Sequence, residues 1–326
     1  MSCELFPPKL GKPLEDTERI VSEIARLGPS FISVTCGAGG STGDHTVEIA
    51  RCVQKDNGVT ALAHVTCVST PRAQIHRTLT LLKEAGIENI LALRGDLPAE
   101  GVASRDFAHA SDLIEEIVRF GGFCVGGACY PEGHPESPST QADLDGICKK
   151  VDSGCAFLTT QMFFDNNILY NFLFRLLKRG INVPVVAGIM PITNEKQVRR
   201  IFSLSGANLP PRFRAIVDRF GGDPPAMKQA GIAYALSLIH IWTYPGVNGL
   251  RRALCPSRVA PRIDLRPYVG TMVFFFGKGD RTHAYAGSQG DAGHAPRRRI
   301  QVATRRKGDA RGLRAGGLSR DPHADV

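Results

Sequence analysis

A cation, a glycine and a carboxylate follow one short apolar run in this sequence. The run Leu91-Ala92-Leu93 leads directly into Arg94, Gly95 and Asp96, and Pro98 then prevents the same conformation from continuing. Ions at the end of a buried strand must be solvated or partnered. The segment is therefore either part of a ligand site or an ordinary surface turn, and the rest of the chain has to decide between the two.

Polar side chains recur at the C-terminal ends of most of the predicted strands. In chain order they are Glu4, Thr35, His64 with Thr66, Arg94 with Asp96, Tyr130 with His134, and Thr160 with Gln161. Each residue alone has an ordinary explanation, such as a strand-end cap, a satisfied core histidine or a solvated loop residue. Their recurrence favours a shared site, because a barrel of parallel strands presents all the C-terminal strand ends on one rim.

The residue types on this rim suit a polar ligand that carries phosphate. Arg94, His64, His134 and Lys150 offer cationic or hydrogen-bonding groups for a diphosphate. The glycine-rich segment 36–42 is consistent with a close approach to a ligand and equally with a flexible connector. The sequence shows no HExxH motif, no paired histidines at metal-ligand spacing and no GxSxG elbow. An organic cofactor is then the natural source of the chemistry.

Short apolar segments alternate with longer amphipathic segments over the first 200 residues. The predicted strands are 3–6, 31–35, 61–68, 90–93, 123–129, 157–161 and 183–189. The predicted helices are 14–27, 46–54, 72–85, 110–120, 141–153, 169–178 and 195–204. Strand-then-helix units repeated at about 30 residues predict a parallel sheet, because parallel strands need crossover connections.

An open doubly wound sheet and a closed (β/α)8 barrel share this order of elements. The strands lack a clean polar and apolar alternation, which indicates that both faces of the sheet are covered. No GxGxxG motif follows the first strand, although a dinucleotide-binding sheet normally carries one there. Together with the polar strand ends, this favours the α/β TIM barrel.

The composition predicts a cytoplasmic protein with no membrane partner. The chain has 326 residues, 43% of them hydrophobic, which is enough for one large domain or two ordinary ones. No apolar stretch is long enough to span a bilayer, and no leader pattern opens the sequence. The nine cysteines are scattered without a CxxC pair, which suits free thiols better than disulfides or zinc.

The net charge of +9 belongs to the C-terminal part of the chain. Residues 1–250 hold 24 Lys and Arg against 25 Asp and Glu, whereas residues 251–326 hold 16 against 6. Arg and Gly occur so often in this tail that the tail is expected to be disordered. A basic tail that binds nucleic acid through residues 297–299 and 305–307 is the alternative. No aromatic residues interleave with those clusters, so nucleic acid is not the expected partner.

Seven segments, in the same order along the chain, resemble the methylenetetrahydrofolate reductase family. They are ELFPPK at 4–9, FISVT at 31–35, HVTC at 64–67, LRGD at 93–96, YPEGHP at 130–135, TQMFFD at 160–165 and GIMPI at 188–192. The resemblance covers residues 2 to 235. It implies a (β/α)8 barrel that holds FAD at its C-terminal rim.

The resemblance also implies which residues meet the ligands. The implied flavin contacts are Thr35, His64, Arg94, Gly95, Asp96, Ala110, Tyr130, His134, Asp143 and Lys150. Gln161, Asp96 and Ile201 are implied to contact the folate, with Ile201 standing where some family members carry an aromatic residue.

The implied reaction is the reduction of 5,10-methylenetetrahydrofolate to 5-methyltetrahydrofolate, a step of one-carbon metabolism and methionine synthesis. NADH or NADPH is the implied reductant, and the sequence leaves the choice between them open. Glu4 is the implied general acid, since a carboxyl group beside apolar Leu5 and Phe6 is expected to have a raised pKa. Asp96 is implied to assist catalysis. Self-association of the chain is also implied.

The resemblance ends near residue 235. The family continues with an eighth strand that carries a Tyr-Thr-x-Asn-Arg-like motif, which this sequence lacks. We therefore predict a barrel domain at 1–235 without its eighth β/α unit. Residues 236–326 are predicted to be a disordered tail or the product of a shifted reading frame.

Two alternatives follow from this departure. A barrel with open strand edges invites association and lacks one folate-binding arginine, so the chain as written is inactive in the first alternative. In the second, the barrel is a lyase or isomerase that binds a phosphorylated metabolite without flavin.

Overall fold

The computed structural model describes residues 2–8, 14–36, 43–96, 106–198, 201, 207–240 and 270–274. The chain divides into a unit Met1–Ala286 and a unit Gly287–Val326, and all of the described residues belong to the first. The glycine-rich segment at 37–42, Phe202 and the basic clusters of the tail lie outside the described residues.

Eight parallel strands form a closed barrel in chain order. They are β1 (Ser2–Leu5), β2 (Ile32–Val34), β3 (Ala61–Thr66), β4 (Asn89–Leu93), β5 (Cys124–Cys129), β6 (Phe157–Thr160), β7 (Val185–Ile189) and β8 (Gly270–Phe274). This confirms the predicted (β/α)8 barrel, and the first seven strands lie where the apolar runs predict them.

Helices follow the first six strands where the amphipathic segments predict them, and two further helices follow β7. They are α1 (Glu15–Ala25), α2 (Gly43–Arg51), α3 (Arg72–Glu84), α4 (Ala110–Phe120), α5 (Thr140–Asp152), α6 (Asn166–Lys178), α7 (Pro211–Phe220) and α8 (Pro224–His240). A π-helical turn, Cys52–Asp56, extends α2. The segment predicted as a helix at 195–204 is helical at 195–198 and at 201.

The expectation that the barrel lacks its eighth strand is wrong. The strand β8 lies within the segment expected to be disordered, and its Val273 pairs with Cys3 of β1 and with Ile189 of β7. The physical reason is that residues 268–276 form an apolar run rich in β-formers, while open edges on β1 and β7 carry unpaired N–H and C=O groups. The residues after 274 lie outside the described part, and the predicted boundary at 235 stays a prediction.

Alternate residues of the strands build two separate apolar layers. Leu62, Leu91 and Phe157 belong to a cluster formed by residues in the strands or directly before them, which fills the barrel interior. The residues beside them on each strand pack in the larger cluster together with the helices. This alternation fixes which strand residues face the interior, because successive side chains point to opposite faces.

The tier above this interior layer contains several polar side chains. Ser33, His64 and Thr159 each lie two residues beyond a member of the interior cluster on the same strand. Glu4 joins them from β1, since its neighbours Cys3 and Leu5 pack on the helix side. The fold thus carries four buried polar side chains towards the C-terminal mouth of the barrel.

A long helix covers the ends of β6 and β7. In α8 a Cβ atom at Gly231 would collide with the carbonyl oxygen of Ile192, so the helix approaches this backbone as only glycine permits. The hydroxyl of Tyr234 donates to the carbonyl of Phe164 at 2.6 Å. These contacts position the loops that follow the two strands.

Within the described residues, no helix has the length and apolar character needed to cross a membrane.

Candidate functional site

Three polar side chains meet inside the barrel at the ends of β1, β2 and β3. The hydroxyl of Ser33 lies 2.6 Å from Nε2 of His64, and the same nitrogen lies 3.7 Å from Oε2 of Glu4. Glu4 is 5% exposed, His64 6% and Ser33 0%. The barrel therefore holds a carboxyl group and an imidazole together in a nearly dry environment.

Burial drives both ionisable groups of this trio towards their neutral forms. Loss of hydration raises the pKa of the Glu4 carboxyl from 4.5 to about 8. The same cause lowers the pKa of the His64 imidazole to about 3. A carboxyl group that keeps its proton at neutral pH is suited to act as a general acid.

The Arg94-Gly95-Asp96 segment lies at the C-terminal end of β4. Gly95 has a φ of +87°, and a Cβ atom there would lie 3.2 Å from Thr66 and 3.3 Å from Val68. Glycine is therefore needed both for the backbone conformation and for the fit against the end of β3. Asp96 is exposed at the rim.

Arg94 forms a bidentate ion pair that no pattern in the sequence predicts. Its two terminal nitrogens lie 2.6 and 2.7 Å from the carboxylate oxygens of Glu136. The hydrogen bonds from Arg94 hold the pKa of Glu136 below its usual value. Glu136 is half exposed, so this guanidinium fork binds an oxyanion at the mouth of the barrel where water and ligands can reach it.

The residues predicted from β5 and α5 lie close to one another. The rings of Tyr130 and His134 are in edge-to-face contact, with centroids 4.5 Å apart. The backbone of His134 hydrogen-bonds to the carboxylate of Asp143, whose pKa is raised by burial. The amine of Lys150 donates to the carbonyl of Ala128 at 2.7 Å, and burial lowers its pKa.

Two further predicted residues flank the rim. The backbone N–H of Thr35 donates to Leu5 at 2.9 Å, and its carbonyl accepts from the hydroxyl of Thr46. Ala110 is buried as the first residue of α4. Both residues occupy element ends at the C-terminal side of the barrel, as expected of residues that line a ligand site there.

The residues implied to contact the folate lie in two environments. Gln161 is half-buried directly after β6, and its backbone N–H donates to Cys129. Ile201 packs in a separate apolar cluster that includes Phe164 and Met190. Its assignment to the folate stays a prediction.

Three residues near the site were missed by the sequence analysis. Ser33 reads as an ordinary small strand residue, although its position two residues before Thr35 places it on the face that points inward. Glu136 lies in a loop whose conformation no periodicity reveals. Thr159 faces the barrel interior, and its hydroxyl has no hydrogen-bond partner among the described residues.

The described residues contain no cluster of three or more His, Cys, Asp or Glu side chains that could hold a metal ion. The site therefore consists of a buried acid, a neutral imidazole and a cationic fork. A closed (β/α)8 barrel with these groups at the C-terminal strand ends has the architecture of a barrel enzyme.

A family model described as methylenetetrahydrofolate reductase matches residues 1–253. Because this match spans most of the chain, the chain belongs to the methylenetetrahydrofolate reductase family. Its members are enzymes named for the reduction of methylenetetrahydrofolate, and the match gives no support to the flavin-free lyase or isomerase alternative.

Curated relatives agree with this placement. A 5,10-methylenetetrahydrofolate reductase of Pectobacterium carotovorum is 33% identical over 274 residues, covering 82% of this chain and 91% of that enzyme. The Escherichia coli enzyme is 30% identical over 272 residues, with the same coverage of 82% and 91%. An Arabidopsis thaliana enzyme, methylenetetrahydrofolate reductase (NADH) 1, is 36% identical over 268 residues, covering 76% of this chain and 45% of the plant protein.

One solved structure supports the fold. An uncharacterized Clostridium thermocellum protein, which binds two copies of 5-methyl-5,6,7,8-tetrahydrofolic acid, superposes with a TM-score of 0.54. The two chains are 12% identical, and the superposition covers 84% of this chain and 87% of the other. At this identity the likeness shows a shared architecture alone.

Proposed function

We propose that this protein is a flavin-dependent reductase that converts 5,10-methylenetetrahydrofolate to 5-methyltetrahydrofolate, with NADH or NADPH as reductant. Family membership supplies the reaction. The observation that carries the proposal is the buried Glu4 carboxyl, whose raised pKa of about 8 leaves it protonated at neutral pH. A protonated acid inside a barrel mouth is the group that opening of the folate's five-membered ring requires.

Two observations support the fit of FAD to the rim. The carboxylate oxygens of Glu136 stand in for phosphate oxygens, since Arg94 already holds them in a bidentate arrangement. The hydroxyl of Thr159, a residue that is 5% exposed, has no hydrogen-bond partner among the described residues and offers a hydrogen-bonding position towards the interior. When bound, FAD would supply hydride transfer from the nicotinamide to the folate.

The chain's own residues would bind and orient that cofactor. Arg94 and Lys150 would meet the diphosphate, Asp143 would accept hydrogen bonds from ribose hydroxyls, and Gly95 would allow close approach of the backbone. The remaining proposed flavin contacts are Thr35, His64, Asp96, Ala110, Tyr130 and His134.

The proposed roles towards the folate follow from charge and burial. Glu4 would donate its proton to the leaving nitrogen, and the low exposure of this carboxyl group keeps bulk water away from it. Asp96 and Gln161 would hydrogen-bond the pterin, and Ile201 would pack against it. We also propose a cytoplasmic location and self-association of the chain.

Glu136 competes with phosphate for Arg94 in this proposal. We expect Glu136→Gln to tighten the binding of FAD to the apoprotein by about twofold to fivefold, since an exposed ion pair contributes up to about 1 kcal/mol. Quenching of flavin fluorescence on titration with apoprotein measures the change. Glu115→Gln is the matched control, because Glu115 forms an exposed ion pair with Arg119 on α4. Weaker binding by Glu136→Gln would show that Glu136 supports the ligand instead.

The proposal is tested by the absorption spectrum of the purified full-length chain. We expect bound flavin in a ratio close to one per chain, and bleaching of its visible bands when NADH or NADPH is added without oxygen. Reconstitution with added FAD separates loss of cofactor during purification from inability to bind it. A chain that binds no flavin even after reconstitution contradicts the proposal.

A further inference from the structure

The nitrogen Nε2 of His64 lies near two oxygen atoms, and only one of them is hydrogen-bonded to it. The hydroxyl oxygen of Ser33 is 2.6 Å away, within hydrogen-bond range, whereas Oε2 of Glu4 is 3.7 Å away and beyond it. All three side chains are buried. Ser33 is outside the set of residues proposed to touch the flavin or the folate.

One ring nitrogen of a neutral imidazole offers one in-plane hydrogen-bonding position. Ser33 fills that position, so Glu4 has no hydrogen bond to His64. Backbone pairing fixes this arrangement, since Glu4 and Ser33 are opposite each other in the β1–β2 ladder. The hydroxyl therefore separates the carboxyl group of Glu4 from the imidazole of His64.

We propose that Ser33 is a positioning residue that occupies Nε2 of His64 and so leaves the acidic proton of Glu4 directed at the substrate. In the tautomer with the ring proton on Nδ1, Nε2 is an acceptor, and without the hydroxyl the carboxyl O–H of Glu4 would turn and donate to it, because a buried proton donor takes the acceptor within reach. The O–H bond of the Glu4 carboxyl group stays intact during this reorientation. The proton stays on Glu4 but points at His64, where the substrate cannot receive it.

The surroundings leave few competitors for this proton. Burial is the cause of the pKa shifts of both Glu4 and His64, and no other charged group among the described residues contributes to either. The described neighbours on the same tier are Thr159, which lacks a partner, and the apolar Leu93. His64 is thus the base that Ser33 has to occupy.

This inference rests on the proposed role of Glu4. One arm of the experiment, however, is independent of that role. In protein labelled with 15N at histidine, Ser33→Ala should move the Nε2 resonance of His64 towards that of a protonated nitrogen. The double variant Ser33→Ala with Glu4→Gln should lack that movement, because the amide is a much weaker donor. Ser33→Thr retains the hydroxyl and should keep the wild-type resonance.

The kinetic arm compares the two half-reactions of the flavin-loaded protein. We expect Ser33→Ala to slow transfer to the folate about tenfold, a part of what a general acid contributes, and to leave reduction of the flavin by NADH unchanged. Ser33→Thr should restore the rate. Thermal unfolding of each variant checks that it is folded.

The outcomes separate this inference from the proposed function. An unchanged His64 resonance in Ser33→Ala, or an equal fall in both half-reactions, overturns the role of Ser33. A wild-type protein that never reduces the folate overturns the proposed function, and the resonance of His64 still decides whether Ser33 controls the direction of the Glu4 proton.

Discussion

Glu4→Gln is expected to slow transfer to the folate by about 100-fold to 10,000-fold, the usual contribution of a general acid. Reduction of the bound flavin by NADH should stay within about twofold of wild type, since that step needs no proton from Glu4. Glutamine keeps the size and hydrogen-bonding shape of the side chain while removing the acidic proton. Stopped-flow absorbance of the flavin measures both half-reactions separately.

The pH dependence of transfer to the folate gives a second test of the role of Glu4. The pKa of Glu4 is raised to about 8 by burial, so the carboxyl is protonated below that pH and loses its proton above it. Transfer to the folate should therefore fall as the pH rises through about 8, and this limb should be absent in Glu4→Gln.

Glu23→Gln on the exposed side of α1 is the matched control. Equal loss of both half-reactions in Glu4→Gln contradicts the role of Glu4.

Gly231→Ala is expected to lower the free energy of unfolding by about 1–3 kcal/mol, the usual cost of overpacking. The added Cβ atom would collide with the carbonyl oxygen of Ile192, so α8 or the loop after β7 has to move. Displacement of this loop should also loosen the neighbouring end of β6. Urea unfolding followed by circular dichroism measures the effect.

Gly146→Ala provides the control for the change in helix propensity. Gly146 lies inside α5, and a Cβ atom there would meet nothing within 4 Å. We expect this variant to be more stable than wild type by up to about 1 kcal/mol, because alanine is the better helix former. Similar effects of both substitutions would contradict the close approach of α8 to the Ile192 carbonyl.

The sequence predicts the architecture because the hydrophobic patterns of its helices and strands are local and periodic. The helix predicted at 110–120 is observed as Ala110–Phe120, and the apolar strand runs needed only small corrections at their ends. The recurrence of polar residues at strand ends also predicted the barrel correctly. One sequence is sufficient to detect these patterns, because each pattern reflects the burial of one face or one end of an element.

The features that failed depend on partners distant in sequence. The strand β8 closes the barrel by pairing with β1 and β7, and its short apolar run within an Arg- and Gly-rich segment does not by itself indicate this pairing. The ion pair between Arg94 and Glu136 joins a strand end to a loop 42 residues away. The contact between Ser33 and His64 likewise becomes visible only when the register of β2 and β3 is known.

The central claim is that one site on this barrel passes a hydride to methylenetetrahydrofolate. The most direct measurement mixes protein whose flavin has been reduced by NADH, without oxygen, with 5,10-methylenetetrahydrofolate in a stopped-flow instrument. The account predicts that the visible flavin bands return in a single turnover and that one equivalent of 5-methyltetrahydrofolate forms per flavin. Reduced flavin that persists in the presence of excess folate, with no methyl product, would contradict it.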